Sequence, residues 1–271
     1  EDGNNIDALR FMGILAFKSG NHDIAEAMLT KALKLDPTYS LAWANLAQVF
    51  SVTGQLDKAK KSFKNILNMD PKNGLIWAEY GTVLTKLANY KEGRDAYLKA
   101  LEFKPDSPRV HLSLGHVYKT MGEIDNSIDS YKNTILQNNL SGEAYWSLAN
   151  LKTYSFSENE IKDMEDTLKG DMSDIERSQM HFALGKAYEV KKDFDKSFKN
   201  YYEGNKVKKG LIKYSSDDTT DNTKRILNFF NKENIQKLAK SSTGDRDPIF
   251  VLGMPRSGST LFDQIISSHS K

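Results

Sequence analysis

A period of 34 residues constrains this chain more than any other feature. Pro37, Pro71 and Pro105 are 34 residues apart, and the next step lands on Asn139. Trp43, Trp77, His111 and Tyr145 keep that interval, as do Leu46, Tyr80, Leu114 and Leu148. A small residue follows each of the latter: Ala47, Gly81, Gly115 and Ala149. A second small series, Ala25, Ala59, Gly93 and Ser127, marks where two helices must approach closely. Gly54, Ala88 and Gly122 fall where the chain must turn inside each unit. A unit of this length holds two helices and a turn. One such pair cannot bury its apolar face alone, whereas stacked pairs bury a continuous core.

Six units follow, near 6–39, 40–73, 74–107, 108–141, 142–177 and 178–210. The last shows His181, Leu184, Gly185, Tyr188, Tyr201 and Gly204 at the expected offsets. The fifth is irregular. Its second helix is expected to open at Ser157, in a capping box with Glu160, and to stop at Gly170. Ser173 and Glu176 suggest a second box that opens the sixth unit. The Trp43, Trp77, Tyr145 series is assigned to the core. A buried aromatic removes roughly 150–250 Å² from water, worth about 4–6 kcal/mol before entropy is subtracted.

The pattern of a large residue, Leu, a small residue and an aromatic, then small, aromatic, Ala and Pro, resembles the tetratricopeptide repeat (TPR). The resemblance implies an α-solenoid with a concave groove lined by the first helix of each unit. By that register Arg109, Leu112, His116, Lys119, Glu143, Trp146, Asn150 and Thr153 point into the groove. Trp146 stands out because it lies one position after the core aromatic Tyr145. It is expected to anchor a bound peptide, or else to pack on a neighbouring repeat or on the following domain.

Beyond the repeats the composition changes. Residues 154–178 carry eight acids and three bases, whereas residues 186–213 carry nine lysines and four acids. Lys206, Lys208 and Lys209 sit at the expected end of the last repeat helix, where cations complement the helix dipole. The alternative is that the patch adds positive potential near an anionic cofactor or recognises an acidic substrate. Ser215 to Asn222 reads as an exposed loop. Residues 211–245 read as a helical connector, with one or two short helices over 224–238.

The segment 246–271 reads as strand, tight loop and helix. Ile249 to Leu252 is a short apolar run, and Gly253 and Gly258 enclose the loop. Gly253-x-x-x-x-Gly258-Ser259-Thr260 matches the phosphate-binding pattern G-x-x-x-x-G-K-[ST] except at the lysine. Loss of that lysine argues against hydrolysis of a nucleoside triphosphate. A helix N-terminus with Arg256 in its loop suits a compact anion.

Pro255-Arg256-Ser257-Gly258-Ser259-Thr260 resembles the 5′-phosphosulfate loop of sulfotransferases that use 3′-phosphoadenosine 5′-phosphosulfate (PAPS). The wider Gly-Met-Pro-Arg-Ser-Gly-Ser-Thr-Leu, with Ser268-His269, is similar to the tyrosylprotein-sulfotransferase-like branch. The resemblance implies that Arg256, Ser257, Gly258, Ser259 and Thr260 hold PAPS. It implies an α/β sulfotransferase domain of which 246–271 is the first βα unit, with the general base and 3′-phosphate site beyond Lys271. The chain as given is then expected to be catalytically inactive, with 246–271 either poorly ordered or docked against the sixth repeat and the 224–238 helices. The whole reads as a repeat array recruiting a hydroxyl acceptor, such as a protein tyrosine, to a sulfotransferase. The alternative is a repeat scaffold with no catalytic activity.

Other classes find little support. Net charge is only +2, which does not favour nucleic-acid binding. With no cysteine there is no disulfide, thiolate nucleophile or cysteine metal site. The five histidines show no metal spacing, so no metal site is expected. No apolar run is long enough to span a bilayer. Together these point to a cytoplasmic protein.

Overall fold

The computed structural model describes residues 4–241. The chain divides after Ile212 into two compact units. The first holds twelve helices among the described residues, taken in order below.

Four regular hairpins come first. They are α1 (Ile6–Lys18) with α2 (His22–Leu35), α3 (Ser40–Val52) with α4 (Leu56–Met69), α5 (Gly74–Lys86) with α6 (Tyr90–Phe103), and α7 (Pro108–Met121) with α8 (Ile124–Gln137). Each second helix also packs on the first helix of the following unit. The residues of the 34-residue series explain this packing. Leu46 and Leu114 are buried, as are Ala25 and Ala59. At the α7–α8 crossing, a Cβ on Gly115 would come within 2.5 Å of the Tyr131 ring. Ser127 is fully buried there, and its hydroxyl donates to the Gly115 carbonyl at 2.9 Å. A buried hydroxyl is tolerated only with such a partner.

The intra-unit turns share one backbone conformation. Gly20, Gly54, Ala88 and Gly122 all have positive φ, and Ala88 sits at 59°. Lys192 repeats the feature in the last hairpin at 63°. The left-handed region favours glycine, so Ala88 and Lys192 carry local strain.

The tryptophans depart from expectation. Trp43 and Trp77 are half-buried at the margin of the core, not enclosed within it. The reason is polar: each indole N–H donates to a carbonyl in the preceding inter-unit turn, Trp43 to Pro37 at 2.9 Å and Trp77 to Pro71 at 2.8 Å. The edge of each ring therefore faces the loop. Tyr145 is buried, as expected.

The fifth unit is not a regular hairpin. Its first helix, α9 (Gly142–Ala149), is only eight residues long. Its second, α10 (Glu158–Leu168), opens with the expected capping box: Ser157 accepts from the Glu160 N–H, and Glu160 accepts from the Ser157 N–H at 2.8 Å. The sixth unit pairs α11 (Asp174–Val190) with α12 (Phe194–Leu211). Here α9 packs mainly on α11, and α10 also packs on α11. A connector through Leu151 and Phe156, both buried, fills the space left by the short α9. Thr153 lies in that connector, outside any helix and exposed, so it is not part of a groove-lining helix.

The second expected capping box is only half made. Ser173 accepts from the Glu176 N–H at 3.3 Å. The Glu176 carboxylate does not return to Ser173 but reaches the first helix of the fifth unit. It accepts from the backbone N–H groups of Gly142 (2.5 Å) and Glu143 (3.3 Å). These are first-turn donors that α9 cannot satisfy itself. The approach is tight enough that a Cβ on Gly142 would lie 2.2 Å from the Glu176 carbonyl oxygen.

In the second unit, α13 (Ser216–Phe229) and α14 (Lys232–Ser241) are helical. The polar stretch Ser215 to Asn222 is thus not a loop. Ser215 caps α13 by accepting from the Asp218 N–H at 3.1 Å, and Asp217 and Asp218 complement the helix dipole. The expected strand, loop and helix over 246–271 lie outside the described residues.

Candidate peptide-binding groove

Groove positions recur one residue after each core aromatic. They hold Ala44, Ala78, Leu112 and Trp146, one in each successive unit. Two extra residues in the fifth unit shift the next to Phe182, one after His181. Because α9 packs on α11, Trp146 and Phe182 meet directly, with ring centroids 5.5 Å apart at an interplanar angle of 49°. Trp146 therefore packs on the neighbouring repeat, and it also lines a cavity of about 240 Å³ with Ile175, Ser178, Gln179, Phe182, Lys208, Leu211 and Ile212.

Three polar features distinguish this cavity. The Gln179 Oε1 atom is buried and has no hydrogen-bond partner. The Lys208 ammonium lies 5.6 Å from the Phe182 ring centroid. Among the described residues no carboxylate lies within 4.0 Å of Lys208, whereas nearby Lys206 has Glu203 at 3.9 Å. The Trp146 indole N–H donates to no protein group among the described residues, in contrast to the indoles of Trp43 and Trp77.

The other expected groove residues do not form one cluster. His116 and Glu143 come together: Nε2 of His116 lies 3.3 Å from Glu143 Oε1, and Nδ1 lies 2.8 Å from the Tyr131 hydroxyl. Hydrogen bonding from His116 holds the Glu143 carboxyl below its usual range, against an opposing effect of burial. Arg109 is exposed and pairs loosely with Glu79 at 3.5 Å. Lys119 is exposed, and Leu112 packs on the core beside α8 and α9. Asn150 is the C-cap of α9, and its side-chain amide donates to the Trp146 carbonyl at 2.8 Å. Lys208 and Lys209 occupy the last turn of α12, where they complement the dipole.

Sequence reasoning singled out Trp146 and Lys208 but missed Gln179, Phe182, Ile175 and the end of α12. Phe182 was legible from its place after His181. The orphaned carbonyl of Gln179 was not, since it follows from three-dimensional packing.

The loop residues Arg256, Ser257, Gly258, Ser259 and Thr260 lie outside the described residues. No group of three or more His, Asp or Glu among the described residues could hold a metal ion.

Comparison with known proteins supports the repeat reading. Residues 16–78 match the tetratricopeptide repeat family and residues 81–122 match a second TPR repeat family. The first unit of this chain is a TPR-like α-solenoid. A solved structure of pilF from Pseudomonas aeruginosa aligns with a TM-score of 0.56 at 21% identity, over 87% of this chain and 97% of that one. A MamA protein aligns at 0.52 and 20% identity, over 79% of this chain and 98% of the other. YrrB, described as a TPR protein with an unusual peptide-binding site, aligns at 0.50 and 18% identity, over 73% and 92%. At such identities the likeness is one of fold. Residues 248–271 match the sulfotransferase family. An uncharacterized protein of Aquifex aeolicus is 29% identical over 58% of this chain. The chain spans about a fifth of the length of that relative.

Proposed function

We propose that this protein joins a TPR groove, which recruits a protein segment, to a sulfotransferase that moves a sulfuryl group from PAPS to a hydroxyl of the recruited partner. The observation that carries this reading is the presence in one chain of a TPR-like array, with an aromatic cavity at Trp146 and Phe182, and a sulfotransferase-family match at 248–271. Arg256 and the groups of Ser257 to Thr260 are assigned to the 5′-phosphosulfate, where a fixed cation and backbone donors stabilise anionic charge. A protein tyrosine is the proposed acceptor, on the strength of the loop's similarity to the tyrosylprotein branch. The groove assignment draws on Trp146, because aromatics dominate the energetics of such contacts.

Calorimetric titration of the full-length protein with adenosine 3′,5′-bisphosphate tests the enzymatic half. Saturable binding is expected, weakened at least about tenfold by Arg256→Ala through loss of a charge-assisted contact. Absence of binding in the wild type would remove the transferase and leave the second reading, a TPR interaction scaffold, which the repeat matches favour.

A further inference from the structure

The cavity between α9, α11 and the end of α12 is more specific than a generic groove. At about 240 Å³ it falls below the ~300–1,000 Å³ typical of small-molecule sites and suits a single inserted side chain. Its walls are apolar where Trp146 and Phe182 meet and where Ile175 and Leu211 stand exposed. At the same point in the earlier units the groove offers Ala44, Ala78 and Leu112, which present less surface.

The polar groups set a second requirement. Gln179 Oε1 is a buried acceptor with no donor, and such a group is costly unless a partner supplies an N–H. Lys208 is a cation beside the cavity with no carboxylate within 4.0 Å among the described residues, while Lys206, two residues earlier, has Glu203 at 3.9 Å. An acceptor for a backbone N–H, an apolar slot and a free cation together describe one occupant.

We propose that this cavity is a subsite for an extended peptide segment bearing a bulky apolar side chain next to a carboxylate. The side chain enters between Trp146 and Ile175, the carboxylate faces Lys208, and a peptide N–H donates to Gln179. The inference rests on the groove being the recruiting surface and is independent of the nucleotide loop. The Trp146–Phe182 contact is already in place, and the one adjustment is a turn of the Gln179 amide, whose buried Oε1 must face the cavity to receive the N–H.

The test uses the intact 271-residue chain and three blocked peptides: acetyl-Gly-Ser-Phe-Glu-Ser-Gly-amide, its Glu→Gln form and its Phe→Ala form. Binding is followed by nuclear magnetic resonance of the tryptophan indole N–H signals, with peptide raised to about 10 mM. The Phe–Glu peptide is expected to shift the Trp146 signal and leave those of Trp43 and Trp77 unmoved. The Gln form should bind roughly threefold to fivefold more weakly at low salt, a preference that fades as salt screens the pair. Lys208→Gln should abolish the preference without changing affinity for the Gln form. Ile175→Ser, a change at an exposed position that spares the fold, should weaken both Phe peptides alike. Phe198→Ala, at an aromatic exposed elsewhere on α12, should alter nothing. No binding by any peptide, equal binding of the Glu and Gln forms, or a preference that survives Lys208→Gln would overturn the proposal. None of these outcomes bears on the bisphosphate titration, so the two readings fail separately.

Discussion

The carboxylate of Glu176 caps a helix other than its own, accepting from the backbone N–H of Gly142, 34 residues earlier in the chain. This one contact ties the short α9 to the start of α11 at the point where the repeat loses its regularity. Removing the carboxylate leaves the Glu143 N–H without its acceptor and the Gly142 N–H with only the Leu140 carbonyl, at 2.8 Å. Glu176→Ala is expected to cost about 1–3 kcal/mol of unfolding free energy. Gly142→Ala should cost a comparable amount, because a Cβ there would overlap the Glu176 backbone. Both changes act on one junction, so the double variant should lose less than the sum. Urea denaturation of the four proteins measures this. Strict additivity would show that the two residues act apart.

Backbone strain in the turns offers a change in the opposite direction. Ala88 and Lys192 hold a left-handed conformation that Gly20, Gly54 and Gly122 adopt freely at the equivalent turns. Ala88→Gly and Lys192→Gly are each expected to raise stability by about 0.5–1 kcal/mol, and Gly54→Ala to lower it by a similar amount. The open space around Gly54 excludes a steric explanation for the latter. Unchanged urea midpoints would show that the turns relax to accommodate any residue.

High pH should weaken the array through its buried phenols. Burial pushes Tyr145 and Tyr201 up to about 12, with nearby carboxylates adding to the effect. Tyr154 and Tyr188 are also raised, first by burial and then by donating to Glu160 and Glu165. In the unfolded chain these groups ionise near 10.0. A raised folded value means the contribution is complete below that pH and is lost as pH climbs towards 12. The urea midpoint should therefore hold steady to about pH 9 and then fall. Tyr145→Phe should flatten the decline. A midpoint insensitive to alkali would contradict this account.

The repeats were legible because their energetics are periodic. The positions of Leu46, Ala59 and Gly115 are dictated by helix crossings that recur every 34 residues, so the sequence displays them. Local signals with a single outcome were also legible, such as the Ser157–Glu160 box. Where a side chain had two possible partners the reading failed. Glu176 could close on Ser173 or reach α9, and only the packing of α9 on α11 decides. Ser215 to Asn222 looked like a loop from its polarity, yet Ser215 and two aspartates make it a helix start. Trp146 was recognisable as a groove residue from register alone. Phe182 shares that register, but Gln179, Leu211 and Ile212 were hidden, because no period connects this part of α11 with the far end of α12.

The three indoles of this chain are chemically unequal. Two are pinned by proline carbonyls at successive inter-unit turns, while the third has its N–H unclaimed among the described residues, beside a phenylalanine tilted at 49°. The molecule thus carries its own optical reporter. Replacing Trp43 and Trp77 by phenylalanine would leave a single emitter in the groove, and its colour and quenching would register occupancy without any added dye.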